Sequence, residues 1–270
     1  MTEPSLPPHA SPTPGAFAEL CLALGFLTRL PVPLAPTTAA LPLATSVRAF
    51  APAGAVVGAL GAGLYALVWY AGLPPMLAAL MGLAATIWAT GALHEDGLAD
   101  FADASGARDV ERRLAIMRDS RIGTFGVLAL LLSLGARAIA LAALDDPATV
   151  AIAWIAAAAA SRAAIAFPMH RLPFARSDGA AVRAGRPSAA HAAAALGIGA
   201  AFLLPLGIFG FAIALLFAGG VTLYTSALAR RQLGGQTGDA LGMVQQAVEI
   251  AVLIAALLAT VLFEAHAWMD

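Results

Sequence analysis

The chain has 270 residues, of which 60% are hydrophobic and only 11% charged. That balance excludes an ordinary soluble globular domain, and a formal net charge of −1 removes the basic surplus a nucleic-acid binder needs. All 15 basic side chains other than histidine are Arg, and the single cysteine, Cys21, allows no intrachain disulfide.

Residues 1–15, MTEPSLPPHASPTPG, are Pro-rich and have no basic n-region, so they are expected to form a disordered tail rather than a signal peptide. Residues 16–270 are read as a single transmembrane catalytic domain. Ala16–Leu30 has the character of a helix lying on a membrane surface, with Arg29 at its end. Seven apolar stretches of bilayer length follow: Phe50–Leu73, Pro75–Leu93, Thr124–Leu144, Ala148–Pro168, Ala189–Leu206, Gly207–Leu228 and Ala240–Phe263. The fifth and sixth divide one continuous apolar run near Pro205 and Gly207. The predicted fold is therefore an all-α, polytopic membrane helix bundle of about seven spans, with loop helices carrying the active site.

Arginine placement orients this bundle. With alternating spans, one face holds Arg29, Arg48, Arg108, Arg112, Arg113, Arg118, Arg121, Arg171, Arg176, Arg183, Arg186, Arg230 and Arg231. The other face, at Leu73–Pro75, Asp145–Pro147 and the C-terminal tail, has no Arg. The positive-inside rule makes the Arg face cytoplasmic, with the N-terminus inside and the C-terminus outside. Among the arginines, only Arg137 and Arg162 fall within spans. For Arg137 the expected role is structural pairing or snorkelling, and for Arg162 it is either snorkelling or contact with a substrate phosphate.

The second cytoplasmic loop opens with HEDGLADFADA, residues 94–104. Steps of four and three residues put Asp96, Asp100 and Asp103 on one face of a helix at the membrane boundary. Three like charges a turn apart repel, and the boundary adds a desolvation cost. A divalent cation relieves both, and Mg²⁺ takes one or two carboxylates while sharing the rest of its shell with substrate phosphates. Gly106 should end this helix, Asp109 should cap a short one, and Gly123 should open the next span. The loop HRLPFARSDGAAVRAGRPS, residues 170–188, combines four Arg with turn-forming glycines and suits phosphate. In RRQLGGQTGDALG, residues 230–242, Gly234, Gly235, Gly238 and Gly242 allow close backbone approach. Thr237 and Asp239 offer oxygens there. The segment lacks the Lys of a nucleotide P-loop, and Asp239 is open to three roles: metal ligand, base or helix cap.

Four blocks in this order resemble the cobalamin synthase (adenosylcobinamide-GDP ribazoletransferase) family. They are Phe26-Leu27-Thr28-Arg29-Leu30-Pro31-Val32-Pro33, His94 through Asp103, Met117-Arg118-Asp119-Ser120-Arg121-Ile122-Gly123-Thr124, and Gly234-Gly235 with Thr237-Gly238-Asp239. Ser161-Arg162 and Arg176 also match, so the resemblance runs over nearly the whole chain. Two positions depart from the usual pattern: Glu95 stands where Leu is common, and Arg118 where Lys is. The resemblance implies an Mg²⁺-dependent phosphotransferase that joins adenosylcobinamide-GDP to α-ribazole or its 5′-phosphate and releases GMP. It implies Asp96, Asp100, Asp103 and Asp239 as metal ligands, with Asp103 or Asp239 as base and His94 orienting a carboxylate. Arg118, Arg121, Arg162, Arg176 and Thr237 would meet substrate phosphates.

A CDP-alcohol phosphotransferase of phospholipid synthesis uses related chemistry. Its signature needs Arg after the Ala of Asp96-Gly97-Leu98-Ala99, where this chain has Asp100. A cation transporter would place its acids near the bilayer midplane, often in paired repeats, whereas these lie at one boundary. Gly58, Gly61 and Gly63 permit close packing of helices within one chain or in a homo-oligomer.

Overall fold

The computed structural model describes residues 15–267, with side chains described through Leu262. The tail expected over residues 1–15 lies outside the described residues except for Gly15. Thirteen α-helices are present among the described residues, and no strand. They are α1 Ala16–Leu27, α2 Pro36–Ala39, α3 Phe50–Tyr70, α4 Pro75–Thr90, α5 Leu93–Ser105, α6 Val110–Ile116, α7 Thr124–Leu144, α8 Pro147–Ala164, α9 Ala166–Arg171, α10 Ala180–Ala184, α11 Ala189–Ala201, α12 Gly207–Leu233 and α13 Gly238–Ala267. Short 3₁₀ turns at Leu43–Ala49 and Leu204–Leu206 precede α3 and α12.

Five stretches are long and apolar enough to cross a membrane, or six if the bent pair α4–α5 is one span. The difference from seven has two physical sources. Helix α4 has 16 residues, about 24 Å at 1.5 Å per residue, short of a hydrocarbon core of about 30 Å. The chain then turns by 90° into α5. Helix α11 has 13 residues, and its apolar run continues into α12, so Ala189–Leu233 registers as one 45-residue stretch. That stretch nevertheless folds back where the sequence divides it, at Gly207, whose φ is +77°. Leu196 and Leu223 line one 320 Å³ cavity with Ala160 and Ala163 of α8. A straight helix would hold those two leucines about 40 Å apart.

Helix α8 is the axis of the bundle. Its alanines are small enough for α3, α11 and α13 to pack closely around it, and nearly all of it from Ala153 to Ala164 is buried. Gly54 of α3 lies directly against the Ala158 carbonyl. Helix α13 packs on α12, α5, α8 and α7. The apolar residues left exposed, among them Leu131, Leu132, Ile208, Phe209 and Leu216, face outward as a lipid-facing surface requires. Helix α1 is not a free surface helix. It packs on the 3₁₀ turn and α3, and its buried Glu19 takes a two-pronged ion pair of 2.5 Å from Arg48.

Candidate active site

The 90° turn is built from two consecutive residues with positive φ, Gly91 at +63° and Ala92 at +57°. Arg29 lies against Gly91 and donates its backbone N–H to the Ala89 carbonyl at 2.7 Å. Any side chain at position 91 would collide with the Arg29 guanidinium. Helix α5 therefore leaves the direction of α4 and packs along α13 and α7. The expected helix is present, and it ends at Gly106. Its buried side holds His94, Glu95, Gly97, Ala99, Phe101 and Ala104, while Asp96 is exposed and Asp100 and Asp103 are half-buried.

Gly97 is the contact point with α13. A Cβ there would sit 2.9 Å from the Asp239 Cα, so the α5 backbone rides on the first turn of α13. This brings Asp96 and Asp100 toward Asp239. Desolvation, then repulsion from Asp96, Asp239 and Asp103, pushes the Asp100 carboxyl up to about 7, with Arg176 opposing. Asp239 Oδ2 is buried and accepts no hydrogen bond, with Arg176 3.6 Å away.

Arg176 is delivered by a stitch between two loops. Gln236 N–H donates to the Pro173 carbonyl at 2.8 Å, and Ala175 N–H donates to the Gln236 carbonyl at 3.0 Å. The approach is close enough that only Gly fits at position 235, against Pro173 O and Ala175 N. The buried Gln236 amide also donates to the Met169 and Leu172 carbonyls, closing the end of α9. The glycines of the last loop thus serve backbone-to-backbone approach.

Other expected site residues take different places. The Asp103 carboxylate accepts from the backbone N–H groups of Gly123, at 2.7 Å, and Gly126, at 2.8 Å, so it caps α7. Thr237 caps α13, its hydroxyl accepting from Ala240 N–H at 3.1 Å. His94 points inward, where burial and then Arg162 and Arg137 hold its imidazole well below the ordinary value, hence neutral. Arg162 is buried and 3.4 Å from Glu249, away from the Asp face. Arg118 pairs with exposed Asp178 at 2.8 Å, and Asp178 lies 3.9 Å from Arg176. Arg121 is exposed and chelates Asp119, whose carboxyl it holds down to about 2. Asp109 caps α6 as expected, accepting from Arg112 N–H.

Two residues escaped the sequence reading. Asp178 bridges two of the expected phosphate arginines, but nothing in its spacing sets it apart from a solvated loop acid. Glu249 lies inside the last span, and a lone acid in an apolar run was a readable signal for a partner to Arg137 and Arg162.

The donor set is suited to Mg²⁺: hard carboxylate oxygens only, crowded enough to raise Asp100, with one buried Asp239 oxygen that accepts no hydrogen bond and has only Arg176 nearby, at 3.6 Å. Among the described residues no group of three or more such side chains is already arranged to hold a metal. Mg²⁺ does not need one, because it keeps waters and takes substrate phosphate oxygens.

A family model described as cobalamin-5-phosphate synthase matches residues 19–257. The chain belongs to the cobalamin-5-phosphate synthase family. Among curated members of this family, a Bradyrhizobium diazoefficiens protein is 46% identical over 88% of this chain and 93% of its own length. A Mesorhizobium japonicum protein is 45% identical over 88% and 92%, and one from Sinorhizobium medicae is 43% identical over 89% and 96%. All three are named adenosylcobinamide-GDP ribazoletransferase. No solved structure matches the chain.

Two outcomes follow from the synthase geometry. Asp103→Ala should lower stability by about 1–2 kcal/mol through loss of the α7 cap, read as a lower thermal midpoint in detergent, with Asp103→Asn losing less. For Asp100, the folded state holds a proton between pH 4 and 7 that the unfolded chain releases near its ordinary value of 3.8. Its contribution to stability therefore falls as pH rises through that window. In chelator, Asp100→Asn should melt above wild type at pH 8 and level with it near pH 4.

Proposed function

We propose that this chain is an adenosylcobinamide-GDP ribazoletransferase acting in the late steps of cobalamin biosynthesis. It joins adenosylcobinamide-GDP to α-ribazole, or to α-ribazole 5′-phosphate, and releases GMP. One observation carries the reading: α5, packed against the first turns of α13, brings Asp96 and Asp100 toward Asp239 and its partner Arg176 at the Arg-rich end of an apolar bundle. It does so in a family whose curated members bear that name over most of their length.

The reaction is phosphoryl transfer to an alcohol. The ribazole hydroxyl oxygen forms a bond to the phosphorus attached to cobinamide. The bond from that phosphorus to the bridging oxygen breaks, and GMP departs with that oxygen. Asp96 and Asp100 would hold Mg²⁺, which when bound neutralises charge on the diphosphate. Asp239, whose buried Oδ2 accepts no hydrogen bond, is our choice for the group that takes the hydroxyl proton. Arg176 and Arg118, tethered through Asp178, would exchange that carboxylate for phosphate oxygens, a contact guanidinium groups make readily. Catalysis on this view is alignment and charge neutralisation. We assign the Arg-bearing end to the cytoplasm of a bacterial inner membrane, by the positive-inside rule.

The test is GMP release by detergent-purified protein given adenosylcobinamide-GDP, α-ribazole and Mg²⁺. Release should need both substrates, stop with chelator, and fall by roughly 10²-fold or more in Asp96→Asn. Turnover of a CDP-linked donor with no GMP release would instead assign the chain to phospholipid chemistry.

A further inference from the structure

Glu95 precedes Asp96 but faces the bundle interior. It is buried, and its Oε1 accepts from Arg137 NH2 at 3.1 Å and from Gln246 Nε2 at 3.1 Å. Arg137, fully enclosed in α7, reaches on to Glu249 of α13 at 3.5 Å. Glu249 in turn is 3.4 Å from Arg162 of α8 and accepts from Gln245. Ser133 of α7 donates to Gln246, and Gln245 donates to Ser161 of α8. The network holds two guanidinium groups and two carboxylates, and it joins α5 to three spans.

We propose that Glu95 is a positioning residue, setting the rotation and height of α5 on α7 and α13 so that Asp96 and Asp100 meet Asp239. This rests on the transferase reading above. Helix α5 cannot inherit its direction from α4, because the 90° break at Gly91 and Ala92 uncouples the two. On its outer side Asp96, Asp100 and Asp239 repel one another, which drives α5 away from α13. Glu95 supplies the opposing pull from inside, through one charged pair and one hydrogen bond made by the residue next to Asp96. Without its charge, Glu249 alone faces two buried guanidinium groups, and Arg137 is drawn toward α13 and away from α5.

The experiment compares wild type, Glu95→Gln, Arg137→Gln and the charge-matched pair E95Q/R137Q, all in detergent. The readouts are Mn²⁺ affinity by paramagnetic resonance, the Mg²⁺ concentration for half-maximal GMP release, and the thermal midpoint. Glu95→Gln is close to isosteric and keeps an acceptor, so it should remain folded. Its Mn²⁺ affinity should nonetheless weaken by about 10–100-fold, the range for groups that orient metal-binding carboxylates. Arg137→Gln should do likewise, and the pair should lose no more than either single variant. A midpoint shift with unchanged Mn²⁺ affinity, or losses that add in the pair, would overturn the proposal, as would absence of Mn²⁺ binding by wild type. Wild type that binds Mn²⁺ but releases no GMP would sink the transferase reading alone, leaving the affinity series to judge Glu95. Should a single variant fail to fold, the pair decides by its own affinity against wild type.

Discussion

The site depends on one constraint: the chain must leave the direction of α4 at Gly91 so that a charged helix packs on α13 and α7. A continuous α4–α5 helix would carry Asp96, Asp100 and Asp103 on along the α4 axis instead of against α13. Two positive-φ residues make the turn, Arg29 from the N-terminal segment lies against it, and Gly97 lets α5 settle on the first turn of α13. The same end receives Arg176 because Gly235 permits the stitch between the Pro173 and Gln236 loops. Three glycines with three different jobs thus converge on one carboxylate cluster.

Charge is distributed in two tiers around α5. On the outer tier, carboxylates outnumber guanidinium groups, and the Asp100 carboxyl rises to about 7 as a result. On the inner tier, Glu95, Glu249, Arg137 and Arg162 cancel one another in an interior where an unpaired ion is costly. The outer excess is what a dication and a diphosphate would use together, and the inner balance keeps the helix seated while that excess exists. Asp103 belongs to neither tier. It is spent on the two backbone N–H groups that open α7, and so it ties the Arg118–Arg121 loop to α5.

Much of this was legible in the residues. The four-and-three spacing of Asp96, Asp100 and Asp103 marked a helix face, and Asp109 and Gly106 marked the ends of two helices. Pro205 and Gly207 marked the fold-back inside a 45-residue apolar stretch. Which carboxylates meet was not legible, because spacing along a helix says nothing about the element packed against it. Asp103 shares the Asp face, yet it is claimed by a helix start twenty residues later. Arg162 sits at the right depth for a phosphate, but Glu249, far along the chain, reaches it first. The turn at Gly91 also resisted the sequence, since hydropathy cannot tell a helix that continues from one that turns by 90° after 16 residues.

The most direct test of the account is electron–nuclear double resonance of Mn²⁺ bound to the purified protein with the diphosphate donor present. One bound Mn²⁺ population with strong ³¹P coupling is expected, lost in both Asp96→Asn and Asp100→Asn, because those two carboxylates hold the metal. Mn²⁺ that binds without ³¹P coupling, or that survives removal of either aspartate, would contradict it.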